Sequence, residues 1–514
     1  MSQYYFEIDK YSHHFTLTRI SARGRELIVA FAKPYFQWGM VREGRFFKRQ
    51  VIKRFTTCLK DSSQYRFHIE QYSEFIKYLR DAQVHECVYV VREHVPSTGI
   101  LVNMAVKEGW VPRDYQIPII QYCISPEPVQ RKLVEIQTGK GKTSIAMMSI
   151  GQLGVRLGIF LKPQFMEKWA SDVCNICQIK PEEVMQINGS SELMKLINLA
   201  KTGGLDKIKV IIISNKTMQN WITLYESVGD DGLEMLGYDC LPQELLPVLG
   251  IGVRLIDEVH MDFHLNFKID LYTHVARSIS LSATLVADDP FLTRMYELAY
   301  PKSMRYSGLA YHKYIKAYSW IYRFNKPELI RTSEFGQKTY SHNAFEKSVL
   351  KRPSELNGYL KMIDQCMKET YVQSYQKGDR LLIYCSSINM CGTVAKYLKS
   401  LPQYKHLVIN RYVEDDPYNN LLNSDVCVST LQSAGTGHDI PKLTTVILTS
   451  AVSSTQANIQ GSGRLREIPG RDVKFIYFVC SDIPKHIDYH EKKKLILKQT
   501  AFSYNSLSYP HYVG

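Results

Sequence analysis

The stretch Ile136-Gln-Thr-Gly-Lys-Gly-Lys-Thr143 decides how the chain is read. It follows an apolar strand-like run, KLVEI at 132–136, and precedes a helix-like run, SIAMMSI at 144–150. A glycine-containing loop between a strand and a helix aims backbone N–H groups at phosphate, at the positive end of the helix dipole. Thr138, Gly139 and Gly141 would line such a loop, Lys142 would reach the β- and γ-phosphates, and Thr143 would ligate Mg²⁺. The strict pattern has glycine where this chain has Ile136, so the loop by itself is a partial match.

Downstream lies Leu255-Ile-Asp-Glu-Val-His260, an apolar strand ending in two adjacent acids, with Asp257 115 residues after Lys142. At the carboxyl end of a strand, Asp257 can hold Mg²⁺ through water while Glu258 orients and deprotonates an attacking water. Between residues 106 and 305 the runs LGIFL, KVIIIS and SISLS alternate with helical segments. Short β-branched runs without strict alternation predict buried parallel strands and a doubly wound α/β domain. A second series, RLLIYCS, HLVIN, DVCVST, TTVILTS and KFIYFVC, occupies residues 351–514 and predicts a second domain of the same kind. Residues 306–350, rich in Tyr, Lys and Ser, break the period and read as a connection with some structure of its own.

The 514 residues are too many for one ordinary core, and 45% hydrophobic with 22% charged residues is the composition of a folded globular chain. Lys and Arg outnumber Asp and Glu by 64 to 50, and a net charge of +14 favours polyanionic partners. No apolar run approaches the roughly 18–20 residues that span a bilayer. The start, MSQYYFEIDKYSHH, has no signal-peptide core, so a cytoplasmic chain without a membrane partner is expected. Eleven scattered cysteines read as reduced thiols, and the single CxxC, Cys174 with Cys177, reads as two thiols on one helical face rather than half a zinc site.

Together with Ser282-Ala-Thr284 after another strand, these segments resemble motifs I, II and III of superfamily 2 helicases, with a DExH-type motif II. The resemblance continues along nearly the whole chain from about residue 110. Arg113-Asp-Tyr-Gln116 resembles the adenine-reading motif, Pro163-Gln164 with Trp169 resembles motif Ia, and Ser214-Asn-Lys216-Thr resembles motif Ib. In the second half RLLIYCSS, ending near Ser386, resembles motif IV; Ser429-Thr430 leading to Gly435-Thr-Gly437-His-Asp439 resembles motif V; Gln460-Gly-Ser-Gly-Arg464-Leu-Arg466 resembles motif VI. The register of motif VI departs from the family, because Glu467 stands where the second arginine belongs and Arg466 comes one residue early.

The resemblance implies two tandem RecA-like lobes that close on ATP. Lys142, Thr143, Asp257 and Glu258 would bind and hydrolyse the nucleotide with Mg²⁺, and Gly437 and Asp439 would face it. Arg464 or Arg466 would stabilise charge on the transferring phosphoryl group, an effect of about 10³–10⁵ in related nucleotidases. His260, Ser282, Thr284 and Gln460 would couple the nucleotide to a strand surface made by Pro163, Gln164, Ser214, Lys216, Ser386, Ser429 and Thr430. The gross order of segments is similar to phage recombination helicases of the UvsW type, which implies branched or forked DNA as partner.

Residues 1–105 read as a separate small α+β domain, with β-type runs YYFEI, HFTLT, ELIVAFA and ECVYVV and a helical stretch IEQYSEFIKYLRDA. Residues 1–100 hold 16 Lys and Arg against 10 Asp and Glu, a net of +6. In VREGRFFKRQVIKRF, Arg45, Lys48 and Arg49 interleave with Phe46, Phe47 and Phe55, which suits a nucleic-acid surface or else a hairpin with one solvated and one buried aromatic face. The expectation is a DNA helicase or translocase acting on forks or junctions in replication, recombination or repair, with its oligomeric state left open by the sequence. An RNA-directed member, a motor subunit of a larger machine and a clamp that binds ATP without turnover are the alternatives.

Overall fold

The computed structural model describes the chain except residues 1–3, 45, 128, 129, 138, 284, 286, 288, 307–311, 335–338, 415, 435–439 and 453–460, and except the side chains of 42 and 87. It divides into two compact units, Met1–Leu309 and Ala310–Gly514.

The first unit opens with β1 (Phe6–Lys10), β2 (His14–Thr18), β3 (Phe36–Glu43), β4 (Phe46–Arg54), β5 (Thr57–Cys58), β6 (Tyr65–His68) and β7 (Tyr89–Glu93). Five of these form a mixed sheet in the order β5-β6-β2-β1-β7, while β3 and β4 pair only with each other as a two-stranded ribbon. The run ELIVAFA, expected as a strand, is the second half of the helix Ala22–Ala32. Ser21 caps that helix by accepting from Gly24 N–H, and Ile28, Phe31 and Ala32 are buried at helical spacing while Val29 is exposed. The periodicity that decided the outcome was 3.6, hidden by a continuous apolar run.

This small sheet is built onto the α/β part of the same unit. His13 Nε2 lies 2.9 Å from Ser278 Oγ, and His14 Nδ1 lies 3.2 Å from the Thr273 carbonyl. Buried Arg66 donates to Gln243 at 3.2 Å and stacks over Tyr272 at 4.5 Å. One apolar cluster runs from Phe6, Phe15 and Phe67 to Phe263, Phe267 and Tyr296. The segment 1–105 thus has its own sheet and shares its core with the α/β part of the unit.

Seven parallel strands make the first large sheet: β8 (Arg131–Glu135), β9 (Leu157–Leu161), β10 (Val184–Ile187), β11 (Val210–Ser214), β12 (Val253–Ile256), β13 (Arg277–Ser282) and β14 (Arg305–Tyr306), in the order β10-β11-β9-β12-β13-β8-β14. The second unit repeats this with β15 (Ile315–Phe324), β16 (Arg380–Cys385), β17 (Ile409–Tyr412), β18 (Val426–Thr430), β19 (Leu443–Leu448), β20 (Val473–Cys480) and β21 (Ser503–Val513), ordered β17-β18-β16-β19-β20-β15-β21 and again all parallel. Counted from the first strand of each sheet, the two orders are the same, 3-4-2-5-6-1-7. The chain is therefore two tandem RecA-like α/β domains after a small α+β segment. Central strands β9, β11 and β18 are buried along their whole length, as a sheet covered on both faces requires.

Two elements of the second sheet were not legible in the sequence. β15 lies inside the stretch expected as a connection, and β21 follows the C-terminal helix Pro484–Thr500. β21 is an edge strand of Ser, Asn and Tyr paired only with β15, so it needs no apolar run. Among the described residues no helix is long and apolar enough to cross a membrane. Cys174, on the helix Met166–Ile176, and Cys177, which ends it, are free thiols.

Candidate functional site

The order β12-β13-β8 brings three strand ends side by side, and each carries part of the expected nucleotide chemistry. β8 runs into the glycine loop, β12 into Asp257 and Glu258, and β13 ends in Ser282, which pairs in register with Glu135. Residues far apart in sequence meet because a parallel sheet gathers all its carboxyl ends on one edge.

In the loop, Gly139 and Gly141 have φ of 87° and 77°, the left-handed region in which a side chain is strained. A Cβ on Gly141 would also stand 2.6 Å from the Gln116 amide nitrogen. Ile136 needs no such freedom. It is buried, and its N–H donates to the Ser282 carbonyl at 3.1 Å, extending the strand by one residue. Isoleucine therefore fits the backbone and packing at this position, where the strict pattern has glycine. Gln116 is buried and occupied locally: its amide donates to the Lys140 carbonyl at 3.1 Å and accepts from Arg113 N–H at 3.0 Å. Arg113 is exposed beside it.

Lys142 opens the helix Lys142–Leu153, whose first turn has no acidic residue and no side-chain cap. Its buried Nζ lies 2.6 Å from Glu258 Oε1. Glu258 has φ of 44°, rare for a residue with a side chain, and its N–H donates to Asp257 Oδ1 at 2.9 Å. The other Asp257 oxygen, Oδ2, accepts from the Trp169 indole N–H at 3.0 Å. Burial, with the Glu258 charge adding to it, pushes the Asp257 carboxyl up to about 6. His260 continues the chain, with Nδ1 3.4 Å from Glu258 Oε2 and 2.8 Å from Ser282 Oγ. Burial pushes its imidazole down to about 4, so it is neutral at pH 7; its Nδ1 hydrogen bond is the one with Ser282, and its approach to Glu258 is a close contact rather than an ion pair. The path Lys142–Glu258–His260–Ser282 then closes back on the loop through Ile136.

Buried Asn266 supports this turn in a way the sequence did not announce. Its amide donates to the Val259 and Met261 carbonyls and its oxygen lies 3.3 Å from Asn215 Nδ2, tying the acid-bearing turn to the end of β11. The oxygen donors Thr143 and Asp257 are hard ligands of the kind Mg²⁺ takes, and the uncapped helix start beside Lys142 suits a polyphosphate. Among the described residues no group of three or more His, Cys, Asp or Glu is gathered for a metal.

The remaining candidates lie on neighbouring strand ends. Pro163 and Gln164 are exposed after β9, and Lys216 is exposed after β11, whereas Ser214 is fully buried. In the second unit Ser386 follows β16 and is half-buried, and Thr430 ends β18 with its hydroxyl 2.9 Å from Ser433 Oγ. Ser429 is fully buried and donates to the Tyr412 carbonyl, so neither Ser214 nor Ser429 presents its hydroxyl to solvent. Glu346 carried no signal in the sequence. Fully buried, it accepts from the N–H groups of Ser386 and Ser387 at 2.7 and 2.8 Å and from the Ser387 hydroxyl at 2.6 Å, and burial pushes it up to about 7.

Around the second-unit arginines, Arg466 donates to the Gly463 and Leu465 carbonyls at 2.6 and 3.1 Å. Arg464 lies near enough to Tyr384 to oppose the burial that raises that hydroxyl. Glu467 turns to His312, with 2.8 Å between Oε2 and Nε2. Arg45, Thr138, Thr284, Gly437, Asp439 and Gln460 lie outside the described residues.

No protein-family model matches the chain, and no curated protein matches it. Among solved structures it is similar to S. cerevisiae Dbp5 bound to RNA and ADP BeF3, at 13% identity over 77% of this chain and 90% of that one, TM-score 0.49. It is also similar to Mss116p bound to ssRNA and AMP-PNP, at 12% identity over 77% and 74%, TM-score 0.49. A third likeness is to the Pyrococcus furiosus Hef helicase domain, at 13% identity over 76% and 100%, TM-score 0.44. These are distant likenesses of fold, and the assignment of two tandem RecA-like domains rests on the two sheets themselves.

Proposed function

We propose that the chain is an ATP-driven nucleic-acid motor of superfamily 2, a DNA helicase or translocase that unwinds or branch-migrates forked or junction DNA. The observation that carries this is the path Lys142–Glu258–His260–Ser282 at the carboxyl ends of β8, β12 and β13. It joins the phosphate-binding lysine to the water-activating acid and then to the segment after β13.

The duplicated topology supports a strand surface on both units. Gln164 follows the second strand of its sheet, as Ser386 does in the other; Lys216 follows the fourth, and Thr430 ends the fourth. Equivalent positions in two copies of one fold suit alternate grips on a repeating backbone, a contact independent of sequence. In the chemistry, Lys142 offsets phosphate charge, Glu258 orients water and takes its proton, and Trp169 fixes one oxygen of Asp257. Mg²⁺ held by Thr143 and Asp257 would supply charge neutralisation at the β- and γ-phosphates. Arg464 is the proposed finger of the second unit, because it keeps the family register while Arg466 is engaged by its own turn and Glu467 by His312. Arg45, Lys48 and Arg49 are proposed phosphate contacts of the N-terminal segment.

The test is ATP hydrolysis with forked DNA, a four-way junction, plain duplex and RNA, each also scored for unwinding. Stimulation of at least severalfold by DNA, abolished by Lys142→Ala and by Glu258→Gln, is expected. Turnover absent with every nucleic acid would leave only a nucleotide-binding clamp, and stimulation by RNA alone would move the chain to an RNA motor.

A further inference from the structure

The ribbon β3–β4 is an oddity of the first unit. An isolated pair of strands is marginal without a face to pack on, yet the outer half of this one is exposed. Cross-strand neighbours share a face, so Trp38 and Met40 stand with Val51 and Arg49, and Val41 with Lys48. Arg49 lies over the Trp38 ring at 5.4 Å. At the tip, past Gly44 with φ of 63°, Phe46 and Phe47 are 80% and 64% exposed. Two phenylalanines in water at the end of a cationic shaft are an unmet apolar surface.

The feet of the ribbon are as ordered as its tip is bare. Phe55, fully buried, packs against Phe263, His264, Phe267 and Phe291, with ring centroids 5.0–5.9 Å apart. His264 Nε2 lies 2.8 Å from the Arg54 carbonyl, and Gln37 donates to Asp289. Phe263, His264 and Phe267 belong to the helix Phe263–Asp270, which begins five residues after Glu258. Asp289 caps the helix Pro290–Ala299, which follows the Ser282–Thr284 segment. Both feet therefore stand on the helices that follow β12 and β13.

We propose that β3–β4 is a strand-splitting pin. Its Phe46–Phe47 tip inserts at the junction of single and double strands and covers the terminal base pair, while Lys48 and Arg49 hold the adjoining phosphates. Its anchorage lets a shift of either foot helix during the ATP cycle move the tip. The occupant is nucleic acid rather than a lipid surface or a second protein, because Lys48, Arg49, Lys53 and Arg54 line one strand of the shaft against the single carboxylate of Glu43, which lies 3.8 Å from Lys48. The proposal rests on the motor reading of the chain.

The test uses the full chain and a forked DNA carrying 2-aminopurine in the first duplex position. Binding of the wild-type protein without nucleotide should raise the 2-aminopurine fluorescence about twofold or more, as the base loses its stacking partner. Phe46→Ala with Phe47→Ala should abolish that rise and lower the base pairs opened per ATP hydrolysed at least tenfold, and Trp at both positions should restore both. An unchanged rise and unchanged coupling in the alanine variant would overturn the proposal. So would a variant that loses only binding to anionic phosphatidylglycerol vesicles, or only self-association. If the wild-type chain hydrolyses no ATP with any nucleic acid, the motor reading fails, whereas the fluorescence step, which needs no ATP, still decides the role of the tip.

Discussion

At the residue scale, Asp257 is held by its neighbours before any ligand arrives. Trp169 fixes one oxygen and the Glu258 N–H the other. Trp169→Phe keeps an aromatic ring in the core and removes the donor. A hydrogen bond to a charged group contributes about 1.5–3 kcal/mol, so kcat/KM for ATP should fall about tenfold or more in steady-state hydrolysis. An unchanged value would show that the indole contact is not used in the reacting state. Ile136 makes the opposite case. Placing the glycine of the strict phosphate-loop pattern there by Ile136→Gly should not improve turnover, and it should lower stability by roughly 3 kcal/mol or more in urea unfolding, because a buried side chain with extended backbone is lost. The strand, the glycine turn and the helix around Lys142 were readable because they occur within a few residues. Trp169, Asn266 and Glu346 were not readable in these roles, because their partners come from other strands.

At the element scale, the turn after β16 hangs on one buried carboxylate. Three donors from Ser386 and Ser387 converge on Glu346, and Glu346→Gln would set an amide N–H₂ against one of them. We expect a loss of about 1–3 kcal/mol in thermal unfolding and weaker strand affinity, with the affinity of the first unit for ATP unaffected. Fluorescent-nucleotide and DNA titrations of the same variant would separate the two. The ribbon shows the limit of local reading at this scale. Its β-propensity and its cations were evident, but that Phe55 is buried while Phe46 and Phe47 are exposed depends on where the helix Phe263–Asp270 lies. The helix Ala22–Ala32 is the converse, a run whose composition suits a strand and whose buried positions obey the helical period.

At the scale of the whole first unit, docking of the N-terminal sheet passes through buried histidines. Burial is the first cause holding His13, His14 and His68 well below the ordinary 6.5. Above pH 6.5 both folded and unfolded forms are neutral at these sites. Below it the unfolded chain takes up protons that the folded one refuses, so stability falls as pH drops. The slope is about 1.4 kcal/mol per pH unit for each such histidine until its folded pKa is reached. Melting between pH 7.5 and 5.5 should show this decline, and His13→Gln with His14→Gln should make it shallower by the share of those two residues, with that of His68 remaining. A slope unchanged by that pair would place the titration elsewhere.

By itself the sequence determined the class of fold, the two α/β series, the strand, loop and helix around Lys142 and the strand that ends at Asp257 and Glu258. Those features are encoded by periodicity and turn chemistry within a dozen residues. Only the tertiary structure decided that the two sheets share one strand order, that β15 and β21 complete the second, and that the N-terminal sheet shares a core with the first. It alone joined Lys142 to Ser282 and stood the exposed ribbon on the helices behind Glu258 and Ser282. These are contacts between segments tens to hundreds of residues apart. Each depends on which strand lies beside which, and no local propensity carries that information.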